Sequence, residues 1–137
     1  GDRVRAAWTL EGLGRVEIGC RNMTAALRHT AQALCLFDEL GDELNVGLKM
    51  ARIAEILHAL EPDPVCAELA GAAAAMIGRN RRDELYRAPQ IEEASHHISG
   101  FEDTFPVEWL RGQSMSRADA VNRVRDRVTH HSQSASL

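Results

Sequence analysis

The feature that most constrains the fold is a helical spacing of apolar residues that continues along almost the whole chain. Between residues 23 and 40, the apolar positions follow one another at intervals of three or four: Met23, Leu27, Ala31, Leu34 and Phe37. Residues spaced in this way lie on one face of an α-helix. No stretch alternates apolar and polar residues as a half-buried strand does. The sequence therefore predicts an all-α protein.

Capping and helix-breaking residues divide this pattern into about seven helices. Gly41 should end one helix in a left-handed conformation, and Asp42 should cap the next. Pro89 should start, kink or interrupt a later helix, and Ser116 should open the last one. The helices predicted from these signals span residues 4–19, 23–40, 43–60, 64–77, 90–99, 102–111 and 117–128.

We expect a single domain over residues 1–128, followed by a flexible tail over 129–137. Two antiparallel helix pairs, 4–40 and 43–77, should form its body, and C-terminal helices within 90–128 should cover the last pair. A length of 137 residues suits one domain of this kind. In particular, Leu34 should lie in the core, and the helix that carries Phe105 and Trp109 should pack back onto an earlier one.

Composition narrows the class of protein. Hydrophobic residues make up 45% of the chain and charged residues 26%, and no apolar run is long enough for a membrane span. The three cysteines are Cys20, Cys35 and Cys66. They include no CxxC pair, which is typical of reduced thiols in a cytoplasmic protein. The net charge of −4 does not favour general nucleic-acid binding.

The sequence contains no motif that predicts catalysis, a cofactor or a metal. It has no phosphate-binding loop, no GxGxxG after a strand and no HExxH. Glu93 and His97 are four residues apart and could share a metal, but a solvated polar face explains them more simply. We expect a protein that is not an enzyme.

A basic patch is a further possibility, formed by arginines of residues 79–82 and 117–127. Asp119 and Asp126 interrupt the second group, and nothing after residue 128 is long enough for a helix-turn-helix. The sequence therefore does not favour nucleic-acid contact through this segment.

The two helix pairs look like copies of one unit. Leu13-Gly14 is followed by Ala26 and Ala33, and Ala67 and Ala74 repeat the interval of seven residues. This pattern resembles the tetratricopeptide (TPR) signature, with departures at Thr30 and Asp38, where that motif often has an aromatic residue and a proline. The resemblance implies a superhelix of antiparallel α-helix pairs.

A narrower resemblance covers most of the chain. Residues 12–16, 33–42 and 67–73, followed by Phe105, Trp109 and Gly112, are similar to the C-terminal TPR-like region of large ATPase-bearing LuxR-type bacterial transcriptional regulators. Some proteins with a nucleotide cyclase domain have a related region. The resemblance implies a non-catalytic protein–protein interaction and signal-receiving module. The alternatives are a small-ligand-binding or enzymatic helical domain, and the C-terminal region of a cyclase protein.

The first helix is expected to carry the interaction surface. It has two apolar stripes and no preceding helix in this sequence, so one side should stay exposed. The residues assigned to this face are Val4, Trp8, Leu10 and Leu13. Such a face is usually buried against another protein or another copy. We expect a protein partner or upstream domains of the same chain, and self-association as a symmetric homodimer.

Overall fold

The structure, a computed structural model, describes the backbone of residues 1–80 and 84–136 and the side chains of residues 1–80 and 88–132. Within these ranges the chain is entirely helical and contains no strand, so the all-α prediction is confirmed. No helix in the described part of the chain is both long and apolar enough to cross a membrane. The helices are α1 (Asp2–Gly19), α2 (Met23–Glu39), α3 (Glu43–Leu60), α4 (Val65–Arg79), α5 (Glu84–His97), α6 (Phe101–Thr104), α7 (Pro106–Gln113) and α8 (Arg117–Ser136).

The predicted capping residues occupy the expected positions. Gly41 has a φ of 72°, which favours glycine because other residues meet a Cβ clash there. The Asp42 carboxylate accepts a hydrogen bond from the backbone N–H of Asn45 at 3.1 Å. The Ser116 hydroxyl accepts one from the N–H of Asp119, also at 3.1 Å. Gly41 and Asp42 account for the end of α2 and the start of α3, and each of the first four helices begins and ends within two residues of its predicted bounds.

Two of the later helices differ from their predicted bounds because of proline. The helix predicted over 90–99 runs from Glu84 to His97 with Pro89 inside it. Proline removes one backbone hydrogen bond, and this helix continues through that loss. The helix predicted over 102–111 is two helices, α6 and α7. Phe105 separates them with a φ of −133°, because a residue before proline disfavours helical geometry.

The last helix also differs, because α8 continues to Ser136 whereas the sequence predicted an end at residue 128 and a flexible tail from 129. The polar composition of that tail suggested fraying, but it contains no proline or glycine that would end a helix. Ion pairs from Arg123 to Glu68 and from Arg127 to Asp63 also hold α8 against the rest of the protein.

The first four helices form two hairpins packed side by side. α1 packs against α2 and α3 against α4, while α2 packs against α3. Contacts between Glu11 and Lys49 and between Arg52 and Glu93 place α1, α3 and α5 next to one another. α7 packs on α4, and α8 crosses both α2 and α4.

The core contains large apolar residues and, where helices pack closely, small residues. Leu34 has no exposed surface, as predicted, and Ala26, Ala33 and Ala67 are also fully buried where helices meet.

α4 and α7 approach each other closely at two glycines, Gly71 and Gly112. A Cβ on Gly112 would lie 1.9 Å from the carbonyl oxygen of Glu68. Trp109 is 9% exposed at this crossing, which confirms that its helix packs back onto α4.

Candidate functional site

The residues predicted to form the interaction face of α1 do not all lie on one surface. Val4, Trp8 and Leu13 are 41%, 39% and 44% exposed, respectively. Leu10 is half-buried and lines a separate groove between α1, α2 and α8. Leu10 therefore faces a different surface from Leu13.

Val4 and Trp8 lie at one end of the first hairpin. The Trp8 ring meets the buried Phe37 ring edge to face, with centroids 5.2 Å apart. Leu40, directly after α2, is also exposed, and Arg3 pairs with Glu39 nearby at 3.5 Å. This end of α1 is thus anchored to α2 through Trp8.

The most exposed apolar residue of α1 is Val16, at 64%, which was not among the predicted interface residues. It follows Leu13 by three positions, so the two side chains share a face. The buried residues Ala7, Glu11 and Gly14 lie on the opposite side of the helix. The interval of three was the signal that could have identified Val16.

A second surface lies where α1, α3 and α5 meet. It is a groove of about 330 Å³ whose lining includes Trp8, Glu11, Lys49, Gln90 and Glu93. We call it the α1–α3–α5 groove. Its lining is mainly polar, which contrasts with the apolar contacts inside each hairpin.

Charged residues from all three helices form a network beside this groove. The Glu11 carboxylate accepts hydrogen bonds from Lys49 Nζ at 3.2 Å and from an Arg52 terminal nitrogen at 3.3 Å. The other terminal nitrogen of Arg52 donates to Glu93 at 2.8 Å, and Arg15 donates to both Glu11 and Glu93. We call these five residues the Glu11 cluster. It links three helices by charge.

Burial and neighbouring charges shift the pKa values of this cluster. Burial lowers the pKa of Lys49 to about 8, although the charge of Glu11 opposes the shift. Burial alone would raise the pKa of Glu11, but Lys49 and Arg15 outweigh it and hold that pKa below its ordinary value. Burial is likewise outweighed at Glu93, where Arg52 and Arg15 lower the pKa to about 2. Both carboxylates are therefore ionised at neutral pH.

A second buried carboxylate lies on the other side of the fold. Glu68 of α4 is 3% exposed and accepts hydrogen bonds from Arg111 of α7, at 2.9 Å, and from Arg123 of α8. We call these three residues the Glu68 cluster. They join the C-terminal helices to the second hairpin.

The arrangement of the described residues does not provide a metal site. No group of three or more metal-binding side chains is present among them. The sequence offered Glu93 and His97 as a possible pair of metal ligands, and Oε1 of Glu93 does lie 3.4 Å from Nε2 of His97. His97 also contacts Glu55 at 3.0 Å, and Glu93 is already paired with two arginines. The pair is part of an ion network.

The C-terminal arginines considered as a basic patch contribute mostly to internal ion pairs. Arg117 contacts Asp38 at 3.0 Å, Arg127 contacts Asp63 at 2.8 Å, and Arg123 contacts Glu68. Arg81 and Arg82, which completed the proposed patch, lie outside the described residues. The paired arginines of α8 are thus neutralised within the fold.

No protein-family model, curated protein or solved structure matches this chain.

Proposed function

We propose that this protein is a non-catalytic, TPR-like protein–protein interaction module that receives a signal within a cytoplasmic bacterial transcriptional regulator of the LuxR type. Two packed helix hairpins, with α1, α3 and α5 side by side, support the stacked-pair architecture. The small residues Ala26, Ala33 and Ala67 are buried where that architecture requires close helix approach.

The observation that carries this proposal is the difference in burial between α1 and α3. Both helices have 18 residues, but 13 are buried in α3 and only three in α1. α3 is packed between α2 and α4, whereas α1 packs against α2. α1 therefore has room for another helix on the side that carries Leu13 and Val16.

We propose a second copy of this chain as the occupant of that side. Thr9, Leu13 and Val16 share the exposed side of α1, and the charged Asp2 and Arg5 lie on that side nearer the N-terminal end of the helix. A two-fold axis near Leu13 and Val16 places the two copies of Arg5 at opposite ends of the contact, so like charges do not meet there. The contact removes Leu13 and Val16 from water, which is the main source of association free energy.

Size-exclusion chromatography with light scattering, over a wide concentration range, tests this assignment. The unchanged protein should shift from monomer to dimer as its concentration rises, and Val16→Glu should remain monomeric. Val107→Glu is the matched control, because Val107 is 60% exposed on α7, far along the chain from this face. That variant should dimerise like the unchanged protein.

Two results would overturn the homodimer. One is a strict monomer at the highest concentration, which would leave the α1 face to a different protein. The other is an equal loss of dimer in Val16→Glu and Val107→Glu, which would place the contact elsewhere. Circular dichroism of both variants checks that the added carboxylate has not unfolded the helices.

A further inference from the structure

The groove between α1, α2 and α8 differs from the α1–α3–α5 groove in chemistry. It has a volume of about 560 Å³, which lies within the range of small-molecule sites, roughly 300–1,000 Å³. Its walls include the apolar side chains of Leu10, Leu36 and Val128. All three are partly buried and pack against the core, so the groove has a preformed apolar floor.

Two arginines flank this apolar floor, Arg28 from α2 and Arg125 from α8. Both are exposed, and neither has a carboxylate within 4.0 Å among the described residues. Asp38 and Glu39, the acidic residues farther along α2, attract Arg125 at longer range, but their carboxylates pair with Arg117 and Arg3. The charges beside the groove are therefore available to an incoming anion.

Cys35 lies in the same groove. Its sulfur accepts a hydrogen bond from Nε of Arg125 at 3.4 Å. This contact fixes one edge of the guanidinium and leaves its terminal nitrogens available to a ligand. Arg125 is thereby oriented beside the groove. Cys35 also provides a chemical reporter of occupancy at this position.

We propose that the α1–α2–α8 groove binds a small amphiphilic carboxylate, with its hydrocarbon chain on Leu10, Leu36 and Val128 and its carboxylate against Arg28 and Arg125. The apolar floor favours a hydrocarbon chain through the hydrophobic effect. The two guanidinium groups favour a carboxylate, with which arginine forms paired hydrogen bonds. A neutral or cationic amphiphile lacks the second interaction.

Protection of Cys35 from iodoacetamide, with decanoate as the probe, tests the site directly. Trypsin places Cys20, Cys35 and Cys66 in different peptides, so mass spectrometry follows each thiol separately. Saturating decanoate should slow alkylation of Cys35 at least fivefold. Cys20 is exposed outside the groove and should react at an unchanged rate.

The charge requirement is tested with a matched cation and matched variants. Decyltrimethylammonium should leave the rate at Cys35 unchanged. Arg28→Gln with Arg125→Gln should raise the decanoate concentration for half-protection about tenfold, as expected for two lost exposed charge contacts. Arg5→Gln with Arg21→Gln removes the same charge away from the groove and should have no effect. Rates with and without decanoate are compared within each variant, because Arg125 itself contacts Cys35.

Three outcomes would overturn the proposal. The first is no protection of Cys35 by decanoate. The second is equal slowing at Cys35 and Cys20, which would indicate non-specific association. The third is equal protection by the cationic amphiphile, or an equal effect of the two pairs of substitutions, which would remove the role of the arginines.

Discussion

The Glu11 cluster and the Glu68 cluster both contain a buried carboxylate, but only the Glu11 cluster also contains buried cations. In the Glu11 cluster the side chains of Lys49 and Arg52 are 4% and 5% exposed, and that of Arg15 is 44% exposed. In the Glu68 cluster the side chains of Arg111 and Arg123 are 61% and 37% exposed. The first cluster has buried charges of both signs, and the second has a buried anion reached by cations from the surface.

This difference determines what the removal of each charge costs. When a buried charge loses its partner, the cost in folding free energy is large because water cannot replace the partner. An exposed charged side chain can instead rotate towards the solvent and be hydrated. A glutamate-to-glutamine change should therefore destabilise the two clusters unequally, even though both carboxylates are buried.

The largest effect is expected for Glu11→Gln. It leaves the buried Lys49 and Arg52 beside each other with less negative charge, and should lower the free energy of unfolding by about 3–5 kcal/mol. Glu68→Gln should lower it by about 1 kcal/mol, because its arginines can turn to water. Urea denaturation followed by circular dichroism measures both. Equal losses for the two variants would contradict the comparison.

The Glu68 cluster also depends on the close approach of α4 and α7, and Gly112 tests this. Gly112→Ala places a Cβ 1.9 Å from the carbonyl oxygen of Glu68, so α7 must move away. We expect a loss of about 2–3 kcal/mol in the free energy of unfolding, together with a red shift of tryptophan emission.

Gly78→Ala is the control for this substitution. A Cβ at Gly78 meets nothing within 4 Å, so alanine should stabilise α4 by about 0.5–1 kcal/mol. Thermal denaturation of both variants separates loss of packing from helix propensity. A neutral Gly112→Ala would mean that α7 is not held against α4 in the way described.

A small effect at neutral pH is expected for Lys49→Met, about 1 kcal/mol or less in either direction. It removes a buried cation, while Arg15 and Arg52 still neutralise Glu11. The two variants Glu11→Gln and Lys49→Met thus remove opposite charges from one contact, with unequal consequences.

Lys49 also predicts a pH dependence. Its pKa falls from 10.5 to about 8 on folding, so between these values the unfolded chain binds a proton that the folded chain has released. Stability contributed by this residue should therefore rise as the pH increases from about 8 to 10.5. Lys49→Met should lack that rise when unfolding is measured by urea across this range. If the stability of Lys49→Met rose with pH as steeply as that of the unchanged protein, the result would contradict the lowered pKa.

Local signals explain which parts of the fold were predictable. The helical spacing around Leu34, the left-handed Gly41 and the Asp42 cap all act within a few residues, so the sequence was sufficient to predict α1 to α4 closely. α6 and α7 were predicted as one helix, whereas Pro106 restricts the backbone of Phe105 and so separates the two.

The candidate surfaces were less predictable. Of the residues predicted to form the interaction face of α1, Val4, Trp8 and Leu13 are exposed, and Leu10 lines another groove. Helical periodicity assigns a residue to a direction around its own helix. It does not tell which neighbouring helix covers that direction, and the position of α8 was needed to assign Leu10.

The helical class, the two N-terminal hairpins and the burial of residues such as Leu34 could be predicted from the sequence, because apolar spacing and capping are local properties. Which charges meet depends on how the helices pack in three dimensions. Arg15 and Glu93 are 78 positions apart, and Arg123 and Glu68 are 55 apart. Pairs at such separations depend on how whole helices pack, and long charged side chains give no periodic signal that identifies their partners.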